Sequence, residues 1–219
     1  MCISKSHRLN AFRKSGAVMI AAQEKFPKLT PEEYFAWEEQ QRDRHEYLNG
    51  EVYPMSGGTI NHSDIAGNIL SQLKQHMRGS GCKVLNSDAR VNILKTTDYV
   101  YPDLSVTCDD RDKTTAQYIT YPCLVVEVLS PSTEAYDRGD KFKMYRRNPK
   151  LKEYLLVSSE DIAIDLFRRT GPDTWQILSY QAGDIIELKS VNLTLPVEAI
   201  YEDIVFEPAV PAVGEAEAE

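Results

Sequence analysis

Two carboxylates and one lysine are the residues of this chain whose types and spacing can do chemistry together. Asp103 follows Pro102 and opens an apolar strand-like run. Glu127 stands in the middle of Leu124 to Leu129, a run that is otherwise wholly apolar. A carboxylate at the centre of such a strand is costly to bury unless it is paired, hydrogen-bonded or bound to a metal. Lys141 follows in the basic stretch DRGDKFKMYRR. Two carboxylates meeting at one sheet edge can share a Mg²⁺, with waters and a phosphate completing its shell. An ammonium beside them can act on the attacking water or on the scissile phosphate. That set suits metal-assisted hydrolysis of a phosphodiester.

Each residue also has a plainer structural explanation. Asp103 can cap a turn, and Glu127 can pair with a buried lysine or arginine, since structural ion pairs perturb buried acids as well. Asp137, Lys141 and Tyr145 recur every four residues, so on a helix they share one face. An Asp137–Lys141 pair at a surface is worth under about 1 kcal/mol. Glu46 precedes the Asn49-Gly50 turn and is either a further carboxylate of the site or a strand-edge surface residue. His62 opens a long helix, where a histidine caps or faces solvent more often than it catalyses. Lys143, Arg146 and Arg147 form a solvated face.

The elements that must position these residues follow from pattern. Thr30-Pro31-Glu32-Glu33 starts a helix that runs to about Gln41, with Tyr34 and Trp37 on its buried face. Asn49-Gly50 between two short strand-like runs is a hairpin signal. Ile65, Ile69, Leu73 and Met77 mark an amphipathic helix from Ile60, ended by Gly79 and Gly81. Strands are expected over 84–94, 98–107 and 124–130. Ser132 or Thr133 caps a helix reaching Arg147, where Asn148-Pro149 stops it. Short strands at 153–157, 162–169, 175–179 and 185–188 form a C-terminal β meander, with a short helix at 196–201.

The 219 residues suit one domain, over 19–206, between a disordered N-terminal extension at 1–18 and a disordered acidic tail at 207–219. Met19 is an alternative start. The net charge of −8 and pI near 5.1 count against an obvious basic nucleic-acid footprint. Bound divalent metal would offset part of that charge locally. No apolar run approaches the length of a membrane span, so a cytoplasmic protein is the default expectation. Cys2, Cys82, Cys108 and Cys123 lack metal-site spacing and argue against a disulfide scaffold, so the strand cysteines read as small core residues.

The ordered pieces LTPEEYFAWEE, RHEYLNGEVYPMSGGT with NHSDIAGNIL, CKVLNSDARV, YPDLSVTCDD, LVVEVLSPST and YDRGDKFKMYRR with EYLLV resemble the Uma-type restriction endonuclease family. That family is a branch of the PD-(D/E)xK nuclease superfamily. The resemblance spans about Leu29 to Phe167. It implies an α/β fold (α+β mixed), with a restriction-endonuclease-like core in which helices flank a central mixed β-sheet. It implies metal-dependent cleavage of DNA, with "PD" on Pro102-Asp103 and the second acid on Glu127. The superfamily lysine, expected two residues after that acid, is replaced here by Leu129. The residue that fits is Lys141, supplied from the next helix. Glu46 and His62 also fall at positions characteristic of the branch.

The resulting expectation is a Mg²⁺-dependent DNA endonuclease, with Mn²⁺ able to substitute. Asp103 and Glu127 ligate the metal with help from the Val128 carbonyl. Lys141 polarises the water, Glu46 assists as ligand or base, and His62, Asp137 and Tyr145 are neighbours. A homodimer suits cleavage of both strands of a duplex. The alternative is a catalytically inert nuclease-like module that binds DNA or protein, motivated by the acidic body and Leu129.

Overall fold

The computed structural model describes residues 28–55, 57–94 and 96–206. The expected disordered ends, and Met19, lie outside the described residues. Helix α1 (Pro31–Glu38) begins at a capping box: Thr30 accepts from the Glu33 amide and the Glu33 side chain accepts from the Thr30 amide. Its buried pair is Tyr34 and Glu38, with Trp37 half-buried. β1 (His45–Leu48) and β2 (Glu51–Pro54) form the expected hairpin. Asn49 and Gly50 both take positive φ, 53° and 86°, as a tight two-residue turn requires. Helix α2 (Ile60–His76) buries Ile65, Ile69 and Leu73 on one face.

The strands expected over 84–94 and 98–107 each split in two. β3 (Lys83–Asn86) pairs with β6 (Leu104–Thr107), while β4 (Arg90–Asn92) pairs with β5 (Tyr99–Val100). Both pairings are antiparallel, so the segment is one long hairpin that folds over between two sheets. Pro102 has no amide hydrogen for a ladder and ends the pairing on one arm. On the other arm Ala89 donates to the Asn86 carbonyl in a turn. This break lays Asp103 at the junction of the two sheets. One sheet runs β2-β1-β5-β4-β7, with β7 at Tyr118–Ile119.

The other sheet is six-stranded and mixed. β8 (Leu124–Leu129) lies antiparallel to β6 and parallel to β9 (Glu153–Ser158). The meander continues from β9 through β10 (Ile164–Arg169) to β11 (Trp175–Tyr180), and extends this same sheet in the order β11-β10-β9-β8-β6-β3. A separate ribbon, β12 (Ile185–Leu188) and β13 (Leu193–Pro196), follows; β13 has no expected counterpart. Only a 3₁₀ turn at Val197–Ala199 stands where the short helix was expected. Together these elements give the mixed α/β fold anticipated from the sequence.

Alternation along β8 fixes what each residue faces. Leu124, Val126 and Val128 join the core formed with α2 and the β12–β13 ribbon. Val125 and Leu129 join the opposite core, against Phe142 and Tyr145. Glu127 shares their parity and so points towards the crossover between β8 and β9.

One cysteine expectation is corrected. Cys82 and Cys108 are joined by a disulfide, and among the described residues only Cys123 is free. The reason lies in register: Lys83 faces Thr107 across β3 and β6, so extending the ladder by one residue brings Cys82 against Cys108. Cys123 is a small half-buried residue packed against the core, its thiol donating to the Val106 carbonyl at 3.3 Å. No helix of the described residues is long and apolar enough to cross a membrane.

Candidate active site

The crossover helix carries the lysine. In place of one α-helix to Arg147 it runs through α3 (Glu134–Tyr136), a π-helical turn (Asp137–Lys141) and α4 (Phe142–Tyr145). A π-turn inside a helix often marks a functional position. Asp137 and Lys141 sit at its two ends, both buried, and Lys141 Nζ lies 3.5 Å from Asp137 Oδ1. Tyr154 donates its hydroxyl to the Asp137 carbonyl at 3.0 Å, tying the turn to β9.

Lys141 gathers three carboxylates from three elements. Its Nζ stands 3.0 Å from Glu127 Oε1 on β8 and 3.3 Å from Glu46 Oε1 on β1, besides Asp137. Glu46 also receives the Tyr101 amide and the Tyr136 hydroxyl, each at 3.4 Å. Tyr145 donates to Glu127 Oε1 at 3.4 Å. On the other side of Glu127, Oε2 accepts from the Asp103 amide at 3.4 Å. The Asp103 side chain accepts from the Val128 amide at 2.7 Å and meets His62 Nε2 at 3.3 Å. Asp103, Glu46, Glu127, Lys141, His62, Asp137 and Tyr145 are thus brought into one constellation. Asp103 and Glu127 make the structural contacts of the plainer explanation as well, a backbone bond and a lysine pair.

The electrostatics are those of crowded acid. Burial pushes the Glu127 carboxyl well above the ordinary range; Asp103, Asp137 and Glu46 push the same way and only Lys141 opposes them. Burial works against the charged form of Lys141, but Glu127, Glu46 and Asp137 outweigh it and keep the ammonium charged. Asp137 is raised by burial, with Lys141 opposing. His62 is raised, first by its hydrogen bond to Asp103.

Four carboxylates share one ammonium and one histidine, an excess of buried negative charge. Among the described residues no three His, Cys, Asp or Glu side chains are grouped as ready metal ligands; the acids close on Lys141 instead. The donor chemistry nonetheless fits a hard divalent cation, because carboxylate and carbonyl oxygens with surplus negative charge are what such an ion takes. Asp103, Glu127 and the Val128 carbonyl are the atoms that can hold it.

The constellation floors a cleft of about 600 Å³. Tyr53, Pro54 and Met55 line one side, and Ser130, Ser132, Thr133 and Tyr136 line another. Sequence reasoning missed these walls. Ser132 and Thr133 read as helix caps, yet Thr133 at the N-cap makes no side-chain capping bond; both hydroxyls instead lie 3.0 Å from Ser130 Oγ. Behind the floor, Glu38 accepts from the His45 amide at 3.0 Å and from the Tyr101 hydroxyl at 3.0 Å. Its place four residues after Tyr34 on α1 is the signal that could have found it.

Comparisons with known proteins agree with this fold. The Uma2 family model, described as "Putative restriction endonuclease", matches residues 31–198. An uncharacterized protein of Synechocystis sp. (strain ATCC 27184 / PCC 6803 / Kazusa) is 53% identical over 181 residues, 83% of this chain and 95% of its own length. A second uncharacterized protein of the same organism is 31% identical over 174 residues, 78% of this chain and 97% of its own. The crystal structure of a putative nuclease belonging to DUF820 from Anabaena variabilis ATCC 29413 superposes with a TM-score of 0.64 at 14% identity. It covers 79% of this chain and 97% of that one, a likeness of fold. By the extent of the family match and the identity to these relatives, the chain belongs to the Uma2 family of restriction endonuclease-like proteins.

Proposed function

We propose that this chain is a Mg²⁺-dependent endonuclease acting on DNA. The observation that carries the reading is the convergence of Asp103, Glu127 and Lys141 from three separate elements at the floor of one cleft. A divalent cation, when bound, would supply charge stabilisation to the phosphoryl oxygens and an activated water. Asp103 and Glu127 would hold it, with the Val128 carbonyl. Lys141 releases one or more of its three carboxylates and donates an N–H to the attacking water or the scissile phosphate. Its displacement from the strand to the helix is compensated by the π-turn, which seats Nζ 3.0 Å from Glu127. Glu46, within reach of the same ammonium, accepts the water's proton. His62 orients Asp103 through their 3.3 Å contact.

Plasmid nicking with Mg²⁺ or Mn²⁺ tests this reading. Asp103→Ala and Glu127→Ala are expected to abolish it, and an unchanged rate in either variant would sink the assignment. The inert-module reading draws on the same cluster, since Lys141 pairs with three acids as a structural ion pair would. Calorimetric titration separates the two. Metal binding that Asp103→Ala removes supports the nuclease, whereas no binding at millimolar metal favours the inert module.

A further inference from the structure

The two walls of the cleft differ in kind, and the difference bears on which form of DNA enters. The β2 wall is apolar and aromatic. Tyr53 is 43% exposed and lies beside Pro54 and Met55. Its hydroxyl donates to Glu51 Oε2 at 2.8 Å. In the β1–β2 register Tyr53 is the direct partner of Glu46. Directly opposed residues project from the same face of a sheet, so the ring stands beside the acidic floor. The facing wall is made of hydroxyls: Ser130 lies 3.0 Å from both Ser132 and Thr133.

The charge on the lining is as informative. Among the described lining residues there is no arginine, and the one lysine, Lys141, is held by three carboxylates. Duplex and unpaired DNA both carry phosphates that Lys and Arg grip, so the sparse positive charge of the lining favours neither and leaves stacking to decide. Unpaired strands have that further source of affinity, because every base offers a face that stacks on an aromatic ring. In a duplex those faces are already stacked, and a base reaches such a pocket only when extruded or unpaired. A volume of about 600 Å³ falls within the range of pockets that enclose a small ligand.

We propose that the cleft takes an unpaired nucleotide of the substrate strand, its base against Tyr53, Pro54 and Met55 and a backbone phosphate at Ser130, Ser132 and Thr133. The inference rests on the nuclease reading for the identity of the polymer, but makes its own claim about the strand's form. The preferred substrate is a single strand, an overhang or a flap, and a blunt duplex is a poor one.

Fluorescence anisotropy tests it, with Ca²⁺ in place of Mg²⁺ and DNAs of one sequence as single strand, overhang and blunt duplex. Single-stranded and overhang DNA are expected to bind at least tenfold more tightly than blunt duplex. Tyr53→Ala should weaken binding of unpaired DNA by on the order of tenfold. Tyr53→Phe should restore it, and neither change should move the affinity for blunt duplex. Because Tyr53 is substantially exposed, its replacement leaves the melting temperature as a check on folding. Met55→Ala, on the same wall, should give a smaller loss of the same selectivity. Equal affinity for blunt and unpaired DNA, no effect of Tyr53→Ala, or no binding to any of the DNAs overturns the proposal. The two readings fail separately. Binding preference without cleavage of any DNA defeats the nuclease and spares this inference. Asp103-dependent cleavage of blunt duplex at the rate seen on overhangs does the reverse.

Discussion

Glu127 and Glu153 are both buried glutamates on neighbouring parallel strands of one sheet, 3% and 1% exposed, yet their surroundings are opposite. Glu153 is saturated with donors. It accepts from Arg168 Nε at 2.8 Å, from the Ser190 amide at 2.8 Å and hydroxyl at 2.6 Å, and from the Lys189 amide at 3.2 Å. These bonds fasten the loop after β12 to the central sheet. Glu127 shares one ammonium with Glu46 and Asp137 and has Asp103 on its far side. A buried carboxylate with all its donors is a structural group; one crowded by other acids at the floor of a cleft is poised to take a cation.

The largest effect expected from this contrast is on activity. Asp103→Asn and Glu127→Gln should each lower the nicking rate at least about 10³-fold, close to 4 kcal/mol of transition-state stabilisation. Neither should lower the melting temperature, since each removes a charge from an over-acidic cluster. Glu153→Ala should do the opposite. It leaves Arg168, Lys189 and Ser190 donors without their acceptor and should cost about 3 kcal/mol in urea or thermal unfolding. Cleavage by the folded protein should be unaffected. A Glu127→Gln protein that unfolds like Glu153→Ala would erase the distinction.

The lysine and the arginine sharpen it next. Lys141→Met leaves Glu46, Glu127 and Asp137 facing one another with no ammonium between them. A loss of roughly 2 kcal/mol is expected without divalent metal. In the double variant with Glu127→Gln, part of that loss should return, because one of the repelling charges is gone. Arg168→Met should cost less, about 1 kcal/mol, because Glu153 keeps the Ser190 and Lys189 donors. Denaturant unfolding of the four proteins decides the order.

The two glutamates also show how far a sequence can be read. Glu127 was visible because it interrupts an apolar run, and Asp103 because it follows a proline at a strand's mouth. Glu153 begins its strand, where an acid looks like an ordinary edge residue, and its donors other than Arg168 come from a loop 36 and 37 residues away. The helices, the Asn49-Gly50 hairpin and β8 follow from local periodicity and turn chemistry. The folding-over of the β3–β6 hairpin did not, because alternation continues through a bend and does not say which sheet a strand joins. The Cys82–Cys108 pair was hidden for a related reason: it depends on inter-strand register, which spacing along the chain does not encode. The cleft walls were missed because Tyr53 and the Ser130–Ser132–Thr133 hydroxyls read locally as strand and cap residues.

A modest effect, that of added cation on stability, separates the two glutamates most cleanly. A cation that binds only the folded protein stabilises it by mass action, about 1.4 kcal/mol at ten times its dissociation constant. For a chain of this size that is a rise of roughly 3–6 °C in melting temperature. Ca²⁺ can be used so that no DNA chemistry intervenes. The rise should persist in Glu153→Ala, whose carboxylate belongs to the loop anchor, and vanish in Asp103→Asn. In Lys141→Met it should exceed that of the parent protein, because the ion no longer competes with an ammonium already seated among the acids. Equal rises in all four proteins would mean that the ion binds elsewhere on an acidic surface, and that the crowding around Glu127 is compensated by Lys141 alone.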